Sequence, residues 1–403
     1  MVVASSIART FGEKGLGIID SSFALINLLA GLAGLGMQKI VTRELCGHDP
    51  LIRAKVRGTS FTLSMAACIV AAIAANIFSY SSPIEERLVV LGACFLLILQ
   101  PFGFLINSVF EAKGRLDLIA KVLLVGLIFS TGVRLWCIHI GASLFWLALA
   151  YSFDIAVSCS LAWIIAYYFF KTSINSWKFE WATAKSLLSE SLPLLLSSAA
   201  AFVYISMDTL MLKWMAGYEE VGAYGAAIRV SQIPLFLPGI LAGAYTSRLM
   251  GSWLKTGEFD SRDLTILSRV LLIFGTCILL GGILFGPLAV RILYGTEFSR
   301  SGPILQIHVI GVFFMIIGSL RNHLLILEGR GKLILLCDCL GAVTNLALNL
   351  YLIPHYGAMG ASWATVISYF VSFILINSVH PALRGYNRLL FSAFKRNPIS
   401  ENS

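Results

Sequence analysis

The sequence predicts an all-α, polytopic membrane protein, and three observations carry that prediction. Of its 403 residues, 58% are hydrophobic and 13% charged, whereas a soluble domain has about 45 to 50% apolar and about 25% charged residues. The mean hydropathy is +0.84. The charged residues gather in short stretches between apolar runs of about 20 residues, the length of helix that crosses a hydrocarbon core of roughly 30 Å. Runs such as 89–110, 144–170 and 271–293 are nearly continuous, which excludes a barrel, whose strands alternate over about ten residues. The formal net charge of +9 follows from the positive-inside bias of membrane proteins and implies no nucleic-acid partner.

Read between the charged breaks, the chain holds eleven complete spans, at 17–37, 58–80, 88–110, 118–140, 144–170, 187–212, 222–247, 267–292, 304–327, 332–353 and 357–379. With the connection from Lys39 to Arg57 on the cytoplasmic side, that set of loops and the tail holds 21 of the 30 Lys and Arg. The opposite set holds only Arg87, Lys213, Arg291 and Arg300. This bias places the C-terminus in the cytoplasm. It also puts the start of the first full span outside, so that most of a helix preceding Arg9 is expected to be absent through start assignment, truncation or loss. Residues 1–8 are apolar but too short to cross, and they lack the charged n-region and long h-region of a cleaved signal peptide.

Two features of the first half return in the second. Gly12-Glu13-Lys14-Gly15-Leu16-Gly17 is followed 205 residues later by Gly217-Tyr218-Glu219-Glu220-Val221-Gly222. Phe110-Glu111-Ala112-Lys113-Gly114-Arg115-Leu116 is echoed by Leu327-Glu328-Gly329-Arg330-Gly331-Lys332-Leu333 at an offset of 217, and Gly141-Ala142 by Gly357-Ala358. Such repeats imply two parallel six-helix bundles related by an axis along the membrane normal, enclosing a cavity that rocking of the halves opens to each side in turn. The expected organisation is an N-terminal bundle over 1–170, a cytoplasmic linker over 171–186, a C-terminal bundle over 187–380 and a basic cytoplasmic tail over 381–403.

The run Ala8-Arg9-Thr10-Phe11-Gly12, the stretch from Asp208 to Tyr224, and the segment from Asn345 through Pro354 to Gly357-Ala358-Met359-Gly360-Ala361 resemble O-antigen (Wzx-type) flippases. These form the polysaccharide-exporter branch of the multidrug and oligosaccharidyl-lipid exporter superfamily. The resemblance runs over nearly the whole chain. It implies twelve helices in two lobes, a place in the bacterial inner membrane, and translocation of undecaprenyl-diphosphate-linked oligosaccharide units from the cytoplasmic to the periplasmic leaflet for O-antigen lipopolysaccharide or another surface polysaccharide. A glycan polymerase and a chain-length regulator are candidate partners, alongside membrane lipids, and no cofactor is implied. The chain departs from the family at its first helix.

Ionisable groups inside spans cost about 2.5 to 3.5 kcal/mol each on insertion scales and usually face a bundle interior or a wet cavity. The candidates are Asp20, Arg134, Asp154, Asp208, Arg229, Arg321 and Asp338. Helical spacing places polar companions beside several: Asn27 with Asp20, Tyr204 with Asp208, Gln232 with Arg229, and Asn345 and Asn349 with Asp338. Equal depth below their turns allows Asp208 to pair with Arg229, and Arg321 with Asp338, whereas Arg134 and Asp154 differ by roughly 9 Å. In the functional reading Arg134, Arg229 and Arg321 attract the lipid diphosphate, to which a guanidinium offers a fixed fork of donors. Arg9 joins them through the family motif. Gradient coupling, which the resemblance implies, would need a carboxylate such as Asp20 or Asp154.

Pro193, Pro234 and Pro238 each remove a backbone hydrogen bond and mark candidate kinks. The stripe Gly31, Gly34 and Gly36 suits close helix packing. The eight cysteines show neither disulfide nor zinc spacing; Cys337 and Cys339 lie about 200° apart around a helix. The competing functions are an ion-coupled multidrug exporter of the same fold and a membrane glycan polymerase. An enzyme would need a large outside loop or a motif such as a P-loop or a partnered nucleophile, and the sequence offers neither.

Overall fold

A computed structural model describes residues 1–47, 49–170 and 177–387, with the backbone alone for Phe170, Pro193 and residues 196–205. Among these the secondary structure is helical throughout. Contacts divide the chain into two compact units, Met1–Leu210 and Met211–Ser403.

The first unit opens with α1 (Val2–Ala33), which is broken at Gly12 (φ 66°, ψ −170°). A short arm thus precedes a full leg over residues 13–33. Next comes α2 (Gln38–Leu45), whose apolar Ile40, Val41 and Leu45 are buried while Lys39 and Arg43 stay exposed. The sequence reading treats this stretch as a loop. A helix of eight residues is too short to register as a hydropathy feature and is stabilised here by tertiary contact. Then follow α3 (Pro50–Phe78), α4 (Ile84–Ala112), α5 (Leu116–His139), α6 (Leu144–Phe170) and α7 (Trp181–Ala216), the last of which runs on past Leu210 into the second unit. Pro50 suits the start of α3, where the Asp49 side chain accepts from the Leu51 N–H at 2.8 Å. Helix α4 is the hub, packing on α1, α2, α3 and α6.

Residues 171–176 of the expected linker lie outside the described residues, but its remainder is docked on α3. The Lys178 N–H donates to the Ala54 carbonyl at 3.3 Å and the Glu180 N–H to the Thr59 hydroxyl at 3.0 Å. Trp177 packs on Phe61 with ring centroids 5.1 Å apart. Gly58 permits this approach, since a Cβ there would lie 2.6 Å from the Lys178 nitrogen.

The second unit contains α8 (Tyr218–Gln232), α9 (Phe236–Thr256), α10 (Ser261–Tyr294), α11 (Ser301–Leu327), α12 (Gly331–Phe370) and α13 (Ile376–Val379). A single 3₁₀ turn, Ile233–Leu235, separates α8 from α9, so Pro234 breaks its span as its missing N–H predicts. Helix α12 bends at Gly357 (φ 55°, ψ −134°) into two legs and runs on through a π-turn, Val371–Leu375, into α13. Helix α11 is the hub of this unit, touching α8, α9, α10 and α12. It occupies the repeat position that α4 holds in the first unit.

Nine helical stretches among the described residues are long and apolar enough to span a membrane. The last is the bent α12, and α7 joins the series by length, so the eleven expected spans fall mainly on helix, with the first ending at Ala33 rather than at residue 37. Rows of bare aliphatic side chains, such as Ile69, Val70, Ile73 and Ile77 on α3 or Leu280, Leu284 and Leu288 on α10, suit contact with lipid tails rather than water. The chain is a multi-pass membrane protein.

The repeat is visible in the backbone, with one change of register. Gly114 (φ 68°) and Gly329 (φ 70°) end α4 and α11 in the left-handed conformation. Beyond them the Arg115 and Arg330 N–H groups reach back to the Phe110 and Leu325 carbonyls at 2.9 and 2.8 Å. These are matching Schellman turns at an offset of 215. The sequence alignment at 217 instead pairs Gly114 with Gly331, because it follows the charges rather than the residue at which each helix stops.

Candidate functional site

In the first unit the polar groups lie on the facing sides of α5 and α6. Arg134, 7% exposed, folds back on its own helix: Nε donates to the Ser130 carbonyl at 3.0 Å and Nη2 to the Ser130 hydroxyl at 2.5 Å. Its guanidinium lies over the Tyr151 ring, 4.3 Å from the centroid, and Tyr151 in turn meets Phe23 of α1 at 4.6 Å. Asp154, one turn beyond Tyr151, is close enough to feel the arginine's charge, yet no ion pair joins them among the described residues. The depth difference read from the sequence accords with that separation. The Asp154 carboxyl sits against Gly126 of α5, where a Cβ would lie 3.0 Å from Oδ1. The chemistry available is a cation held by one hydroxyl, one carbonyl and one aromatic face, with Nη1 uncommitted among the described residues.

Farther along α6 the same face reaches a cavity of about 570 Å³, walled by the end of α1, α4, α5 and α6 and rimmed by Gln38 and Lys39. Gln100, Asn107 and Ser158 belong to its wall. Sequence reasoning missed these residues, which carry no motif and are individually ordinary. Their common feature is spacing: Asn107 lies one helical turn before Glu111 of the repeat turn, and Ser158 one turn beyond Asp154.

In the second unit Arg321 is enclosed. At 2% exposure it donates from Nη1 to the Ser372 carbonyl at 2.6 Å and the Asn377 Oδ1 at 3.0 Å. Nε and Nη2 both reach the Asn322 Oδ1, at 3.1 and 2.7 Å, and the Phe373 ring lies 5.3 Å from the guanidinium carbon. Four of the five N–H donors of a guanidinium are thereby used within the protein. Asp338, expected as its pair, acts on it through space but is itself exposed on α12. The knot extends outward, because Asn377 also donates to the Phe373 carbonyl at 2.8 Å and to Asn387 at 3.1 Å.

Asn345 and Asn349 are buried between the two legs of α12. Asn349 donates to the Asn345 Oδ1 at 3.0 Å, and Asn345 faces the Thr365 hydroxyl on the returning leg at 3.5 Å. Two histidines absent from the sequence reading tie α11 to its neighbours: His308 Nδ1 meets the Ser231 hydroxyl at 2.8 Å, and His323 Nε2 the Thr246 hydroxyl at 3.2 Å. The equal separation of the partners shows α11 running parallel to α8 and α9. Glu220 forms a third tie, bonding Arg300 at 2.7 Å and the Ala358 N–H at 2.8 Å just past the Gly357 bend.

The remaining candidates lie on separate elements. Arg9 is exposed on the arm before Gly12; Asp20 is half-buried and Asn27 exposed along α1; Arg229 is half-buried and Gln232 exposed at the end of α8. Asp208 is buried on α7 and belongs to the first unit, whereas Arg229 belongs to the second. The Tyr204 side chain lies outside the described residues. Among the described residues no cluster of His, Cys, Asp or Glu could hold a metal ion. Outside the spans, hydrogen bonding to Glu328 raises the affinity of the Arg330 guanidinium for its proton. Burial, with the 2.7 Å bond to the same carboxylate, raises that of the Tyr386 phenol.

Comparison with known proteins agrees with this architecture. Residues 1–246 match a family model described as polysaccharide biosynthesis protein. A Shigella dysenteriae protein named as a putative O-antigen transporter is 33% identical over 192 residues, which is 47% of this chain and 46% of that protein. A Shigella flexneri protein of the same name is 23% identical over 378 residues, covering 89% of this chain and 88% of the relative. Among solved structures, the lipid II flippase MurJ in an inward closed conformation superposes with a TM-score of 0.76 at 14% identity, over 98% of this chain and 91% of that one. At that identity the likeness shows the fold.

Proposed function

We propose, from the premise that this chain belongs to the polysaccharide biosynthesis protein family, that it is a flippase rather than an enzyme. Its cargo in this reading is an undecaprenyl-diphosphate-linked oligosaccharide, moved from the cytoplasmic to the periplasmic leaflet of the bacterial inner membrane for O-antigen or another surface polysaccharide. The supporting observation is the match to the Shigella flexneri relative over 89% of the chain, so that the likeness takes in both halves of the repeat. The parallel repeat suits alternating access by two like-oriented bundles, with a 21-to-4 basic bias setting the C-terminus inside.

Within this reading Arg134 is the cation offered to the diphosphate. It is held in place by its own helix and by an aromatic face, and Nη1 remains for a phosphate oxygen. Arg321 serves instead as a structural tie, since its donors are consumed by the protein. Domain limits of 1–170 and 187–380 for the two transport halves belong to the same proposal. In a strain lacking its own flippase, the unaltered chain should restore surface glycan, and Arg134→Ala should abolish that export at unchanged protein abundance. Full export by the variant would remove Arg134 from the cargo path; failure of the unaltered chain to restore any glycan would overturn the flippase reading.

A further inference from the structure

Two left-handed residues in a row form the corner between α1 and α2. Gly36 (φ 63°) takes that conformation freely, but Leu35 (φ 52°) is the one residue other than glycine with a positive φ among the described residues. A Cβ disfavours this region, so the strain persists only where the surroundings fix it. Both flanks of the corner are fixed to α4. Before it, the Gln100 side chain donates to the Ala30 carbonyl at 3.1 Å. After it, Gln38 and Thr42 of α2 donate to the Glu111 carboxylate at 3.2 and 3.0 Å.

The strained corner rests on α7. A Cβ on Gly36 would lie 2.6 Å from the Leu195 nitrogen, 2.9 Å from the Leu194 carbonyl carbon and 3.0 Å from the Ser191 carbonyl oxygen. Backbone meets backbone here, an approach that only glycine allows. The contacts fall on either side of Pro193, which offers no N–H to the Ser189 carbonyl and leaves α7 one hydrogen bond short at that turn. Helix α2 grips the turn before it: Arg43 bonds Glu190 at 2.7 Å, and Leu187 shares a core cluster with Ile40, Val41 and Leu45. Sharp kinks gather at proline, yet α7 runs unbroken from Trp181 to Ala216.

We propose that α2 and its corner are a splint that keeps α7 straight across Pro193, and that Leu35 stores the strain that releases it. In the splinted state Leu35 is held left-handed. Once the corner lifts from α7, Leu35 relaxes to an ordinary conformation and α7 bends at its missing bond. Stored strain keeps the two states close in free energy, as a part that moves in every cycle requires. The Arg43 and Glu190 side chains are exposed, and such a pair contributes little, so the backbone contact at Gly36 sets the hold. The bearing of the bend on export rests on the flippase reading.

Hydrogen exchange on the full chain in phosphatidylcholine nanodiscs tests the splint, read as the rate at the amides of residues 189–195 relative to those of α4. Leu35→Ile keeps the volume but puts a β-branch at a left-handed position, and Gly36→Ala drives a Cβ into α7. Each should raise the ratio about tenfold, the weight of one left-handed side chain in an equilibrium. Leu35→Gly removes the strain and should lower the ratio several-fold. Pro193→Ala restores the missing N–H, so the ratio should fall and cease to respond to the corner variants. Leu35→Gly and Pro193→Ala should also slow glycan export several-fold at parental abundance. Parental exchange in both Leu35 variants overturns the splint even where Gly36→Ala fails to fold, as does an undiminished response in the Pro193→Ala background. Parental export by Pro193→Ala overturns its place in transport. Exchange needs no cargo, so the splint survives if the unaltered chain restores no surface glycan, whereas that result overturns the flippase reading.

Discussion

The Nη1 of Arg321 donates to the Ser372 carbonyl at 2.6 Å, at the π-turn where the final span departs from regular helix. A π-turn shifts the backbone register by one residue and leaves a carbonyl without its usual partner; in lipid such a group must be satisfied by protein. The guanidinium supplies that partner from α11 and fixes the C-terminal segment through Asn377.

Removing this tie should unfold the protein more than it impairs cargo binding. Arg321→Ala strands the Ser372 carbonyl and the two asparagine oxygens without donors, at about 1 to 3 kcal/mol for each unsatisfied group, and should lower the melting temperature in detergent sharply. Arg321→Lys should recover little, because an ammonium cannot reproduce the planar fork. Arg134 bonds chiefly within its own helix, so Arg134→Ala should melt near the parent. Similar melting losses for the two alanine variants would contradict this division of roles.

The bend of α12 makes a second prediction. Gly357 holds φ at 55°, and a Cβ there would lie 2.5 Å from the Glu220 carboxylate, which itself caps the Ala358 N–H. Gly357→Ala should therefore destabilise by about 1 to 2 kcal/mol from backbone conformation, plus the displaced cap. Glu220→Ala alone loses the cap and the Arg300 bond. Because the two changes share a partner, thermal melts should show the double variant less damaged than the sum of the singles; strict additivity would mean that the carboxylate does not meet the bend.

The spans are legible because a run of about 20 apolar residues is a one-dimensional signal. The features that escape depend on contacts that no local pattern encodes. Spacing brings Asn345 and Asn349 onto one face, yet their partner Thr365 lies beyond the bend. The same spacing includes Asp338, which is exposed. Arg321 reads as a cavity group because its acceptor is a backbone carbonyl, and a π-turn has no residue signature. The Gly114 turn aligns with Gly331 in sequence because charge pattern and helix end disagree by two residues. Lys39, Asn107 and Ser158 come to line one cavity only when α2, α4 and α6 are brought together.

Acidification should release the segment docked on α3. Lys55 bonds Glu180 at 2.5 Å, and this bond, followed by that from Thr183, holds the Glu180 carboxyl below its ordinary value of 4.5. A depressed folded value means the contribution is complete above about pH 4.5 and is lost as pH falls through the lower folded value. Hydrogen exchange at the Lys178 and Glu180 amides, bonded to Ala54 and Thr59, should accelerate in that window beyond the intrinsic pH trend. Glu180→Gln should remove the pH step. A step that persists in the variant would assign it to another group.

Cysteine labelling tests the orientation drawn from the basic residues. Cys46 is exposed just past α2, within the connection assigned to the cytoplasm, and the exposed Cys277 and Cys339 sit inside apolar spans. A membrane-impermeant maleimide should therefore leave intact spheroplasts unlabelled and modify inverted vesicles at Cys46, with the signal lost in Cys46→Ser. The expectation follows from thiolate chemistry, which needs water at the sulfur and is suppressed in apolar surroundings. Labelling of Cys46 in intact spheroplasts would reverse the topology. It would also move the Lys39 cavity to the periplasmic side.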